Sequence, residues 1–190
     1  MIVEKEEQLK YLYAFKEGKI KRGLGIGNEL DNWVLYKRGS FNIIVGLDNV
    51  GKTNFMLWYF LALSVKHNIK WLLWSGENSA GQLTRDLIQM YSQTKLNYLS
   101  KSKIKEYNTK IGEWFSFVSN KKMYNHKELL KIFKDSNCDA GVIDPFTGLN
   151  HDRRVNQYER NYLICNDIRE FCNTTGKAIY LMTHPMTESA

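Results

Sequence analysis

Eight consecutive residues carry the strongest chemical signal in the chain: Gly46-Leu47-Asp48-Asn49-Val50-Gly51-Lys52-Thr53. Holding a polyphosphate takes many hydrogen-bond donors in a small concave space. Successive backbone amides supply them, and a glycine near each end lets the backbone turn tightly and approach the ligand closely. The apolar run 41–45 before the loop reads as a buried strand. The helically spaced apolar residues after it read as a helix that points its positive end at the phosphates. In this setting Lys52 is expected to reach the β- and γ-phosphates of a nucleoside triphosphate and Thr53 to ligate Mg2+, with Asn54 closing the binding segment 46–54. A glycine turn that happens to precede a lysine is the plain alternative; the strand before and the helix after argue against it.

Three further residues stand at the ends of apolar runs. Asp144 closes Ala140-Gly-Val-Ile, so it belongs at the carboxyl end of a buried strand, where open α/β sheets place their ligands. A carboxylate there can hold Mg2+ directly or through water; a strand-terminal Asp capping the next turn is the alternative. Glu77 follows the run 71–75 by two residues, in Ser75-Gly-Glu-Asn. It is placed to orient and deprotonate an attacking water, or else is an exposed turn glutamate. His184 follows Leu-Met-Thr at the end of the last apolar run. A neutral imidazole there can sense a γ-phosphate through a hydrogen bond; a plain turn histidine is the alternative. The two prolines of the chain, Pro145 and Pro185, directly follow Asp144 and His184.

The elements that must position these groups alternate. Strands are expected at 41–45, 71–75, 114–118 (an edge), 140–144 and 178–183. Helices are expected at 53–66, 80–93, from the capping-box-like Asn125-His-Lys-Glu128 to 134, and 158–174. Phe55, Trp58, Tyr59, Ala62 and Val65 form the apolar stripe of the first of these helices; Tyr162, Cys165, Ile168 and Cys172 lie along one side of the last. Alternating strands and helices imply an α/β fold with a mainly parallel sheet flanked by helices. Residues 1–22 read as a peripheral helical arm, with Leu9, Leu12, Tyr13 and Phe15 at a mild helical period. The polar, lysine-rich stretch 94–112 has the weakest pattern. Gly23-Leu-Gly-Ile-Gly superficially suggests a dinucleotide fingerprint, but no strand precedes it and its spacing is wrong, so it reads as a turn-rich lead-in.

With 190 residues, 43% hydrophobic and 25% charged, the chain has the size and composition of one globular domain. A net charge of +7 is compatible with a polyanionic partner, but the lysines are scattered, and a lysine-rich surface accounts for it equally well. Three cysteines, an odd count without a Cys-x-x-Cys pair, argue against a disulfide framework or a zinc site; Cys165 and Cys172 are expected to face the core. The charged start has no signal-peptide core, and the longest apolar run is too short to span a membrane, so a cytoplasmic location is expected.

Gly-x-x-Asn-Val-Gly-Lys-Thr, Ser-Gly-Glu-Asn, Val-Ile-Asp-Pro-Phe and Thr-His-Pro-Met-Thr-Glu, in that order and spacing, resemble the motifs of a RecA-like P-loop ATPase domain. Among these the chain most resembles the DnaB-type replicative DNA helicases of phages, with the Twinkle-like and primase-helicase branch close by. Gly25-Ile-Gly-Asn-Glu-Leu-Asp31 is similar to the segment that leads into that domain, so the likeness covers residues 23–190. It implies that Glu77 is the catalytic base, that Asp144 is the acidic residue of the metal-binding motif, and that His184 is the phosphate sensor. It also implies ATP and Mg2+ as ligands, single-stranded DNA as partner, a homo-oligomeric ring (a hexamer) in the complete protein, and the host cytoplasm as location. Arg153 and Arg154 occupy the position of a loop that can face the DNA channel in the family, where they would contact phosphates; a solvated loop is equally compatible with the residues. The family continues past this point with more strands, a second DNA-binding loop and an arginine finger, so the likeness implies a chain truncated at its C-terminus and no arginine finger within it. Two alternatives stay open: a RecA-like ATPase that is a recombinase or a regulator, and a nucleotide-binding module without turnover.

Overall fold

The computed structural model describes residues 4–20, 23–47, 49–151 and 156–185. They divide into two compact units, Met1–Lys37 and Arg38–Ala190. In the smaller unit, helix α1 (Lys5–Lys16) buries none of its side chains. The glycine-rich lead-in has a local purpose. The Asp31 carboxylate accepts the backbone N–H groups of Ile26 and Gly27, each at 2.7 Å. Asn28 caps the short turn Glu29–Asn32, and an antiparallel bridge joins Leu24 to Tyr36. These amides are taken by Asp31, which fits the turn-rich lead-in that the spacing suggests.

The larger unit is built on five strands: β1 (Phe41–Val45), β2 (Trp71–Ser75), β3 (Phe115–Phe117), β4 (Ala140–Asp144) and β5 (Ala178–Thr183). All pair in parallel, in the order β1-β5-β4-β2-β3. β2, β4 and most of β5 are buried along their length, as uninterrupted apolar strands covered on both faces should be. The helices of this unit are α2 (Lys52–His67), α3 (Ala80–Ser92), α4 (Lys101–Gly112), α5 (His126–Asp135) and α6 (Gln157–Thr175). The weakly patterned stretch 94–112 thus contains a short turn and a full helix, capped by Ser100.

Side chains alternate across the strands, so each face of the sheet has its own core. On one face Phe60 of α2 stacks on Trp71 at 4.1 Å between ring centres and meets Tyr180 edge-on at 5.0 Å. Ser64, buried in the same helix, accepts the Trp71 indole N–H at 2.9 Å. On the other face Leu72, Trp74, Ile143, Ile179 and Leu181 pack with Leu129 and Phe133 of α5 and Ile164 and Ile168 of α6. The apolar stripe expected of α2 is displaced. Met56, Leu57, Tyr59, Phe60 and Leu63 are buried, whereas Phe55, Trp58 and Val65 are exposed. The helix is apolar on nearly every side, so spacing alone does not select the buried one. On α6, Ile168 and Cys172 are buried as expected, Cys165 is only partly covered, and Tyr162 is exposed. Among the described residues no helix is long and apolar enough to cross a membrane.

Candidate nucleotide-binding site

The sheet order brings the carboxyl ends of β1, β5, β4 and β2 side by side, and the residues singled out at those ends meet there. β1 leads into the loop at Gly46. The loop ends at Gly51, whose φ of +84° places it in the left-handed region that favours glycine, and α2 begins at Lys52. Gly51 offers no side chain to cap the helix, so the first-turn amides of α2 have no side-chain acceptor at the cap position. Asn49, at φ +58°, is the second left-handed residue of the loop. Asp48 lies outside the described residues.

Lys52 folds back over the loop it follows. Its ammonium donates to the carbonyl oxygens of Gly46 and Leu47, both at 2.6 Å. A Cβ on Gly46 would lie 2.9 Å from Cδ of Lys52, so a larger residue at that position would press on this side chain. The same ammonium lies 3.1 Å from Nδ1 of His184, which is 132 residues distant in sequence. An ammonium only donates, so Nδ1 accepts and the ring proton resides on Nε2. Nε2 in turn faces the Glu77 carboxylate at 3.9 Å.

The Thr53 hydroxyl donates to Oδ2 of Asp144 at 2.8 Å, across 91 residues. Asp144 is 6% exposed. Burial raises its carboxyl pKa above the ordinary carboxylate range, and the charge of Glu77 pushes the same way; the Thr53 hydrogen bond and the nearby Lys52 and His184 act against this. Glu77 itself is exposed, but its backbone is held. The Gly76 N–H donates to the Asp144 carbonyl at 2.8 Å. The buried Ser75 hydroxyl accepts from the amides of Asn78, at 3.0 Å, and Glu77, at 3.4 Å. The sequence Ser-Gly-Glu-Asn is therefore a turn that fastens a carboxylate beside Asp144.

A cleft of about 400 Å³ opens between these groups. Its remaining wall comes from α3, which contributes Arg85 and Asp86, joined through the Arg85 Nε donor at 2.8 Å. Sequence reasoning missed this pair because on an amphipathic helix both read as solvated surface. The available signal was the capping box of Ser79 and Gln82, which starts α3 just after Glu77 and sets its first turns along the cleft. Arg153 and Arg154 lie outside the described residues.

Comparison with solved structures identifies the architecture. One solved ATPase domain matches with a TM-score of 0.73 at 15% sequence identity, over 97% of this chain and 72% of that one. A DnaB-like replicative helicase, solved in a study of its interactions with primase, matches with a TM-score of 0.73 at 18% identity, over 95% of this chain and 49% of that one. The chain shares the RecA-like fold of these helicase ATPase domains. No protein-family model matches the chain, and no curated protein matches it in sequence.

Within this RecA-like domain the oxygen donors of Thr53 and Asp144 suit a hard cation such as Mg2+. Among the described residues no cluster of three or more His, Cys, Asp or Glu is placed to hold a metal by itself.

Proposed function

We propose that this RecA-like domain binds and hydrolyses ATP as the motor portion of a phage-type replicative DNA helicase, coupling turnover to translocation on single-stranded DNA within a hexameric ring. One observation carries the reading. Lys52, Thr53, Glu77, Asp144 and His184 come from four separate strand ends and line one cleft at the amino end of α2. Open α/β sheets bind their ligands at this edge, and a helix start attracts anions.

The loop amides and Lys52 hold the β- and γ-phosphates, with Lys52 exchanging its loop-carbonyl contacts for phosphate oxygens. Thr53 and Asp144 would hold Mg2+, which supplies charge neutralisation at the phosphate oxygens when bound. Glu77 stands on the solvent side of the cleft, where water reaches it; it orients that water and takes its proton as the water attacks the γ-phosphorus. His184 in the tautomer with Nε2 protonated presents a neutral donor toward the same region, suited to a hydrogen bond with a γ-phosphate oxygen. Arg153 and Arg154 would contact DNA phosphates. A complete ring would place each cleft against a neighbouring copy.

The test is phosphate release from ATP by the chain, with Mg2+, at increasing concentrations of a single-stranded oligonucleotide. Turnover stimulated by the oligonucleotide supports the motor reading. Turnover indifferent to nucleic acid would instead favour a regulatory RecA-like ATPase.

A further inference from the structure

The segments that follow β2 and β4 touch at a pair of glycines. A Cβ on Gly76 would lie 3.3 Å from Cη2 of Trp74 and 3.6 Å from the Cα of Gly148. A Cβ on Gly148 would lie 3.3 Å from the same Cη2 and 3.7 Å from the Cα of Gly76. Neither glycine is in the left-handed region, so what both positions require is space. The tip of one indole ring and two bare backbone turns therefore close on a single point.

The ring is packed on all sides. Trp74 is 2% exposed, belongs to the core cluster with Leu129, Ile143 and Leu149, and meets Tyr124 edge-on at 6.5 Å. Its indole N–H has no hydrogen-bond partner among the described residues, so packing alone holds it. Tyr124 also anchors the segment after β4, because its carbonyl accepts the Asn150 N–H at 2.8 Å. The Gly76–Glu77 turn, by contrast, is exposed. An atom added at the contact displaces the turn that carries Glu77, within the tether of its hydrogen bonds to Asp144 and Ser75.

We infer that Trp74, Gly76 and Gly148 are positioning residues for Glu77, setting the distance of its carboxylate from Thr53 and Asp144 through the contact of two turns over one indole. This rests on the reading that Glu77 acts on the attacking water. None of the atoms nearest the contact belongs to Lys52, Thr53 or the loop, so the contact governs turnover and leaves nucleotide affinity alone.

The experiment measures kcat, KM and the affinity for a slowly hydrolysed ATP analogue in Gly148→Ala, Gly76→Ala, Trp74→Phe and the double variant Gly148→Ala/Trp74→Phe, with thermal melting of each. The added methyl forces a shift of a few tenths of an ångström. Misplacement by 1 Å at a reacting centre can cost a hundredfold, so kcat in each glycine variant should fall roughly tenfold. KM and affinity should stay within about twofold. Phe removes the ring tip that the methyl would strike and breaks no hydrogen bond, so the double variant should recover most of the activity. Gly76→Ala tests the same contact from the other side should Gly148→Ala fold poorly. Full activity in both glycine variants, equal losses of affinity and kcat, or no recovery in the double variant would each overturn the inference. Glu77→Gln, run in parallel, separates the two levels. If it is inactive while the glycine variants are unimpaired, only the positioning role fails; if it hydrolyses ATP normally, the assignment of Glu77 fails and this inference with it.

Discussion

Lys52→Ala should remove tight ATP binding while leaving the fold in place. Lys52 is the first residue of α2, half-buried, and its ammonium touches only the loop carbonyls of Gly46 and Leu47 and the ring of His184 among the described groups. Exchanging two of these contacts for phosphate oxygens gives two charge-assisted hydrogen bonds of about 1.5–3 kcal/mol each. Removing both, about 3–6 kcal/mol, corresponds to roughly 10²- to 10⁴-fold weaker binding. The carbonyls released by the substitution return to water, and alanine is well tolerated in a helix. Stability should therefore change by no more than about 0.5 kcal/mol, roughly 1–2 °C in melting temperature for a chain of this size. Calorimetric titration of Mg2+-ATP beside thermal melting reads both quantities. Affinity within about threefold of the unsubstituted chain would refute the phosphate role. A large drop in melting temperature would instead make Lys52 a structural clamp on the loop.

Glu77→Gln keeps the shape of the side chain but cannot take a proton. ATP affinity should stay within about twofold while phosphate release falls roughly 10²- to 10⁴-fold, and near-normal turnover would return Glu77 to the role of a turn residue. Asp144→Asn should alter the pH dependence of stability in Mg2+-free buffer. Burial raises the Asp144 pKa in the folded chain, so the folded state holds its proton more tightly than the unfolded one, and stability falls as pH rises through that window. The Asn variant should thus melt higher than the unsubstituted chain at pH 7. The gain should vanish below the ordinary carboxylate pKa, where both side chains are neutral; a lower melting temperature at pH 7 would contradict it. Replacing both Arg153 and Arg154 by Ala should reduce the log–log salt slope of single-stranded DNA binding by about 1.4, roughly 0.7 for each phosphate no longer neutralised, with ATP affinity unchanged. Identical slopes would leave these arginines as solvated surface.

The parts of the site that were legible in the sequence share a physical property: each is encoded by neighbours. The candidate phosphate loop is eight consecutive residues, and its glycine at 51 takes a left-handed turn. For Asp144 and His184 the sequence showed only the sheet edge they share, since parallel strands all end there; which ends lie side by side depends on the order. That order, β1-β5-β4-β2-β3, depends on pairings as distant as β1 with β5, the first strand with the last, and no single strand announces its partners. Arg85 and Asp86 were hidden for a related reason. Their helix has a clear apolar face of Leu83, Leu87 and Ile88, and only the sheet beside it reveals that part of its polar face borders a cleft. On α2 the difficulty was excess: so many residues are apolar that periodicity marks a helix without marking its buried side. Nothing in the run 71–75 singled out Trp74, because the glycine pair that meets its ring joins positions 76 and 148.

The central claim is that the loop at 46–53 and the turn at 76–78 close on one nucleotide. Amide hydrogen exchange of the chain with and without Mg2+-ATP tests it directly. Protection should rise in residues 46–54 and 76–78 and at the end of β4 around Asp144, and it should be absent in Lys52→Ala. Protection elsewhere with the loop unchanged, or the same pattern in Lys52→Ala, would contradict the assignment of this cleft as an ATP site.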